Sequence, residues 1–101
     1  MALAIIAKVG EIADGQGKQV TVGDKTLALF HNQGSYYAID NTCPHRGGPL
    51  AEGFVDQNEV TCPWHGARFD LKTGACLSPP APHGVTAYKV QVVGQEIQVD
   101  V

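Results

Sequence analysis

Two short stretches place a thiol and an imidazole within a few residues of each other: Cys43-Pro44-His45 and Cys62-Pro63-Trp64-His65. Thiolate and imidazole both bind first-row transition metals, so four such ligands on two similar stretches point to a metal centre. Pro44 and Pro63 fix the backbone straight after each cysteine and remove an N–H donor, which suits a turn wrapped over a ligand better than the middle of a sheet. Sixteen residues, Arg46 to Thr61, separate the two pairs. Zinc fingers take their cysteines from one pair and their histidines from another, an order not found here. Ligand type by itself still admits a four-coordinate Cys2His2 zinc site, or a buried thiol pair with two unrelated histidines. The glycines nearby, Gly47, Gly48 and Gly66, favour a larger group, because backbone there can aim N–H groups at bridging sulfides.

The pattern resembles the Rieske family, in which two histidines replace two cysteines on one iron of a 2Fe-2S cluster. The resemblance runs from Thr42 to about Pro82 and takes in Gly47-Gly48, Pro49-Leu50, Gly66, Phe69-Asp70, Thr73-Gly74 and the Pro79-Pro80-Ala81-Pro82 run. It implies one 2Fe-2S cluster, with Cys43 and Cys62 as ligands of the inner iron and His45 and His65 as ligands of the outer. The Cys-Pro-Trp-His form and the short chain look most like the small soluble ferredoxins of multicomponent ring-hydroxylating dioxygenases. That likeness implies a monomeric one-electron carrier that docks transiently with a flavin-dependent reductase and a terminal oxygenase. Two rival functions use the same residues: a small Rieske-like subunit of a nitrite reductase or similar complex, and a structural zinc-binding interaction module. An oxygenase centre would need a further iron on two histidines and a carboxylate, beside a substrate cavity. Only His31 and His83 remain once the ligands are assigned, so the expectation is a carrier and not an enzyme.

Length and composition agree with a small carrier. The chain has 101 residues, 44% hydrophobic and 17% charged, enough for one domain with a modest core. Seven basic residues against ten acidic give a formal charge of −3, which argues against nucleic acid and favours a basic docking partner. Three cysteines are an odd number, and two are claimed by the site, which indicates a reducing compartment. The apolar run near Met1 is too short for a signal segment or a membrane span, so the expected location is the cytoplasm, with no membrane contact.

The elements that must position the site read as strands. Residues 2–9, 18–22, 25–31 and 35–40 form four strands before the first ligand pair, joined by turns at Gly15-Gln16-Gly17, Gly23-Asp24 and Asn32-Gln33-Gly34. After a short helical candidate at 49–54 and a turn at Asp56-Gln57-Asn58, strand 59–62 leads into the second pair. A small hairpin follows, 67–71 with 75–77, then the proline-rich run, then 86–93 and 96–101 joined over Gly94-Gln95. Ile97 and Val99 alternate with Glu96, Gln98 and Asp100, as in a strand with one buried face. The expected fold is all-β, a Rieske-like antiparallel β-sandwich. It is one domain, 1–101, with a cluster-binding subregion at about 41–84.

Around the ligands, Trp64, Leu50 and the 79–82 run are expected to shield the site and offer an apolar docking patch. His31 and His83 read as surface or strand-end residues, Cys76 as a small buried apolar residue, and Arg46 and Arg68, which flank the two loops, as solvated charges or partners of Asp70 or Glu52. The resemblance also bears on potential. High-potential members carry hydroxyl donors after the second ligand pair and a disulfide between the loops, whereas this chain has Ala67 and Phe69, and Gly48 and Trp64, at the matching places. The potential is therefore expected near the low end of the Rieske range, which spans roughly −150 to +300 mV.

Overall fold

The computed structural model describes residues 3–42, 48–64, 66–78 and 84–100. Among the described residues ten strands run in chain order: β1 (Leu3–Lys8), β2 (Gln16–Val22), β3 (Lys25–Asn32), β4 (Ser35–Asp40), β5 (Phe54–Asp56), β6 (Glu59–Thr61), β7 (Arg68–Asp70), β8 (Cys76–Ser78), β9 (Ala87–Val93) and β10 (Glu96–Asp100). One 3-10 turn, Leu50–Glu52, precedes β5. All pairings are antiparallel, in a six-stranded sheet ordered β1-β10-β9-β4-β3-β2 and a four-stranded sheet ordered β5-β6-β7-β8. The all-β expectation holds.

Strand β3 explains how the two sheets meet. Its sequence, Leu27-Ala28-Leu29-Phe30, is apolar without alternation, as expected of a strand covered on both faces. Leu27 and Leu29 enter one core with Ala7, Ile12, Val20, Ala38, Ile97 and Val99. Ala28 and Phe30 enter the other with Ile39, Leu50, Val60, Cys62, Phe69 and Leu71. The first core lies inside the curl of the six-stranded sheet, whose edge strands β1 and β2 return to each other's vicinity. The second lies between β3–β4 and the inner row of the small sheet, where Val55, Val60, Phe69 and Cys76 stand opposite one another. Asn32 Nδ2 donates to Asn58 Oδ1 at 2.8 Å and ties the end of β3 to the β5–β6 turn.

Three elements differ from the sequence expectation. β2 starts at Gln16 rather than Lys18, so Gly17 is a strand residue and the turn falls at Asp14-Gly15. Gly17 is glycine because a Cβ there would meet the Phe30 ring at 2.6 Å and the Ala51 carbonyl at 2.7 Å. The helical candidate at 49–54 shrinks to a single 3-10 turn, and the missed strand β5 takes over from Phe54. Val101, at the end of the last expected strand, lies outside the described residues.

Candidate metal centre

Of the four expected ligands, Cys62 is described, and Cys43, His45 and His65 lie outside the described residues. Cys62 leaves β6 and turns inward, with 4% of its surface exposed, into the core formed by Phe69, Val60 and Leu50. Its N–H donates to the Ala67 carbonyl at 2.7 Å, and the Gly66 N–H donates to the Cys62 carbonyl at 3.2 Å. These bonds close the second loop at its base. Gly66 has φ +80°, the left-handed conformation that glycine adopts without a Cβ penalty.

The end of the first loop reaches the same sulfur. A Cβ on Gly48 would lie 2.8 Å from Cys62 Sγ and 3.2 Å from Trp64 Cγ, so bare backbone of one loop packs against the thiol and indole of the other. That cradle, which any side chain at 48 would fill, together with a buried sulfur at the meeting of two loops, fits a compact group held between them. Gly48 and Trp64 thus lie within reach of each other across the two loops.

The first loop is gripped at its neck. Thr42 and Pro49 form an isolated antiparallel bridge, and the Leu50 N–H donates to the Asn41 carbonyl at 2.8 Å. Asn41 Oδ1 accepts the Ala51 N–H at 2.9 Å. Its neighbour Asp40 accepts from the Thr86 N–H at 3.2 Å and from the Tyr88 hydroxyl at 2.7 Å. Burial of Tyr88, then the hydrogen bond to Asp40 and the Asp40 charge, push that hydroxyl's pKa up to about 12. Sequence reasoning passed over both residues. The available signal was an Asp-Asn pair at the end of a strand, directly before the first loop, where short polar side chains commonly bond to nearby backbone.

The expected apolar patch is redrawn. Leu50 is fully buried in the core because the 3-10 turn directs it between the sheets, so it cannot contact a partner. Trp64 is 50% exposed and remains available, while Pro79, Pro80, Ala81 and Pro82 lie outside the described residues. Arg68 Nη1 reaches Glu59 Oε1 at 3.4 Å, across the β6–β7 pair, and Asp70 Oδ1 instead accepts the N–H groups of Lys72 and Thr73 in its own turn. His31 sits near the end of β3, stacked on Tyr36, with Nδ1 at 2.9 Å from the Ile12 carbonyl. His83 and Arg46 lie outside the described residues. Cys76 is half-buried against the core beside Phe69.

An all-β fold of this order, with a buried cysteine where two loops meet, suits a small domain that holds a compact metal group between those loops. The family model of the Rieske [2Fe-2S] domain matches residues 2–89, and the chain belongs to that family. It carries one 2Fe-2S cluster. The ferredoxin component of a naphthalene 1,2-dioxygenase system from Pseudomonas aeruginosa is 39% identical over 90 residues, covering 89% of this chain and 86% of that protein. Among solved structures, the ferredoxin of carbazole 1,9a-dioxygenase from Nocardioides aromaticivorans IC177 superposes with a TM-score of 0.92 at 32% identity, covering 98% of this chain and 97% of the other. A ferredoxin solved in complex with the reduced oxygenase of carbazole 1,9a-dioxygenase gives a TM-score of 0.89 at 28% identity, covering 96% and 91%. The chain is accordingly an electron carrier of ferredoxin type and not itself an enzyme.

Proposed function

We propose that the chain is the ferredoxin component of an aromatic-ring dioxygenase system, taking electrons singly from a flavin-dependent reductase and passing them to a terminal oxygenase. The observation that carries this is the match, over nearly the full length of both chains, to a ferredoxin that works as a separate component of such a system. When bound, the cluster supplies a one-electron couple. Cys43 and Cys62 would hold one iron of the cluster and His45 and His65 the other. Cys62 keeps its thiolate out of water, Gly48 lets the two loops close, and Trp64 presents an exposed apolar face beside the buried sulfur for a partner to cover. The region 41–84 is the cluster-binding part of one domain. Among the described residues no helix is long and apolar enough to cross a membrane, and a monomer in the cytoplasm suits the role.

The test is reconstitution. Anaerobically purified protein should contain two irons and two labile sulfides and show a Rieske-type EPR spectrum on reduction. As the sole ferredoxin, it should restore NADH-driven oxygen uptake to a purified reductase and aromatic-ring oxygenase. One zinc without sulfide would overturn the cluster ligands. A normal cluster that reduces a nitrite reductase complex, but no aromatic-ring oxygenase, would overturn the partner assignment.

A further inference from the structure

Asn32 and Asn41 are the two buried polar side chains among the described residues, at 5% and 6% exposure. They hold different things. Asn32 links two turns of the frame through Asn58. Asn41 stands between the frame and the first loop: its N–H donates to the Thr26 carbonyl at 3.1 Å and its Nδ2 to Gln19 Oε1 at 3.2 Å, anchoring it to β3 and β2. Its two oxygens then take two successive N–H groups, those of Leu50 and Ala51. These belong to the first residues of the 3-10 turn, which have no acceptor within the turn, and Pro49 before them offers no side-chain cap. One residue before Pro49 is Gly48, whose backbone rests on Cys62 Sγ.

We infer that Asn41 is a positioning residue for the cluster: by its side-chain cap on Ala51, beside its backbone bond to Leu50, it sets how closely Gly48 approaches Cys62 Sγ. This rests on the proposed ligands Cys43, His45, Cys62 and His65. The neck has little slack, because the Ala51 N–H is buried and its acceptor is this one side-chain oxygen. Without that acceptor the 3-10 turn shifts to find another, and Gly48 moves with it. Asn41→Asp keeps the Oδ1 acceptor of the Ala51 N–H and so keeps the spacing, while the Gln19 side-chain amide turns to donate to the second carboxylate oxygen in place of the lost Nδ2 donor.

The test uses anaerobically purified full-length holoprotein carrying Asn41→Ala, Asn41→Asp, Asn32→Ala or Gly48→Ala. The readouts are the EPR line shape of the reduced form, the rate of iron loss to a chelator, and the urea midpoint. Asn41→Ala should broaden the EPR lines and release iron about tenfold faster, the order expected when a buried donor loses its acceptor. Gly48→Ala, which forces the same gap open from the other side, should do likewise. Asn41→Asp should retain the wild-type line shape and release rate. Asn32→Ala should lower the urea midpoint yet leave the line shape and release rate unchanged. Equal effects of Asn32→Ala and Asn41→Ala on line shape, a wild-type release rate for Gly48→Ala, or an Asn41→Asp as defective as Asn41→Ala would each overturn the inference. Should Asn41→Ala not accumulate as holoprotein, the Asp and Gly48 variants decide by the same criteria. A wild-type chain without a Rieske signal removes the ligand assignment and this inference together, whereas a normal wild type with unresponsive variants removes the inference alone.

Discussion

At the scale of single residues, the site depends on what stands next to the sulfur of Cys62. Ala67 is 1% exposed and lies in the same core as Cys62, whose N–H its carbonyl accepts, so a hydroxyl added to its side chain would act in a dry environment. Phe69 is fully buried in the same core and brings no donor either. A hydrogen bond to cluster sulfur favours the more negative, reduced state. Ala67→Ser should therefore raise the midpoint potential, by about 60 mV if the new bond favours the reduced state by about 1.4 kcal/mol. Voltammetry at pH 7 checks this, and an unchanged or lowered midpoint would show that the serine hydroxyl does not reach the sulfur. The Rieske family was legible in the sequence because its signature lies in residue types and short spacings. The part of Asn41 was not, since it depends on a contact ten positions away, and the approach of Gly48 to Trp64 was legible only through the family resemblance.

At the scale of elements, the hairpins were legible wherever a turn needs a left-handed residue. Gly23, Gly34 and Gly94 all have positive φ, and so do Gln57 and Asn58, where the β5–β6 hairpin turns back. β5 was missed because three residues, with Phe54 74% exposed and Val55 alone turned to the core, are too few to show an alternation. The joint between β4 and β9 was also hidden: only Ala38 with Tyr88 and Ile39 with Ala87 pair there, and the Tyr88–Asp40 bond reinforces it. That bond gives the joint a pH dependence. In the unfolded chain tyrosine ionises near about 10, while in the folded chain Tyr88 stays protonated to about 12. Between those values the unfolded state binds fewer protons, so stability falls as pH rises. Below pH of about 10 the contribution is fully present. Tyr88 is only half-buried, so solvent reduces the size of the effect without changing its sign. Tyr88→Phe should flatten the decline of the urea midpoint between pH 10 and 11.5 relative to wild type. Parallel declines would assign the alkaline loss to other groups.

At the scale of the whole molecule, β3 is the wall between two cores, and truncating its two faces should have separable consequences. Leu29→Ala and Phe30→Ala should each lower stability by about 3 kcal/mol, as expected for buried large-to-small changes. Leu29 belongs to the core away from Cys62, and Phe30 to the core that contains it. Denaturant midpoints should therefore fall in both variants, while the EPR spectrum changes in Phe30→Ala alone. A matching spectral change in Leu29→Ala would mean that the two cores act as one around the cluster. The sequence announced this strand only as an apolar run; that the run divides two cores depends on β5–β8 folding back over it.

The pairing of Leu3 with Asp100 across β1 and β10 brings the first and last described residues side by side on a sheet that shares no pairing with β5–β8. The fold is entered and left at one edge, so it can be spliced. A permuted chain that joins these ends through a short glycine linker and opens at Gly23-Asp24 should fold and take up its cluster. Absence of iron from the purified permutant would show instead that β1 must be made before β2 for the frame to close.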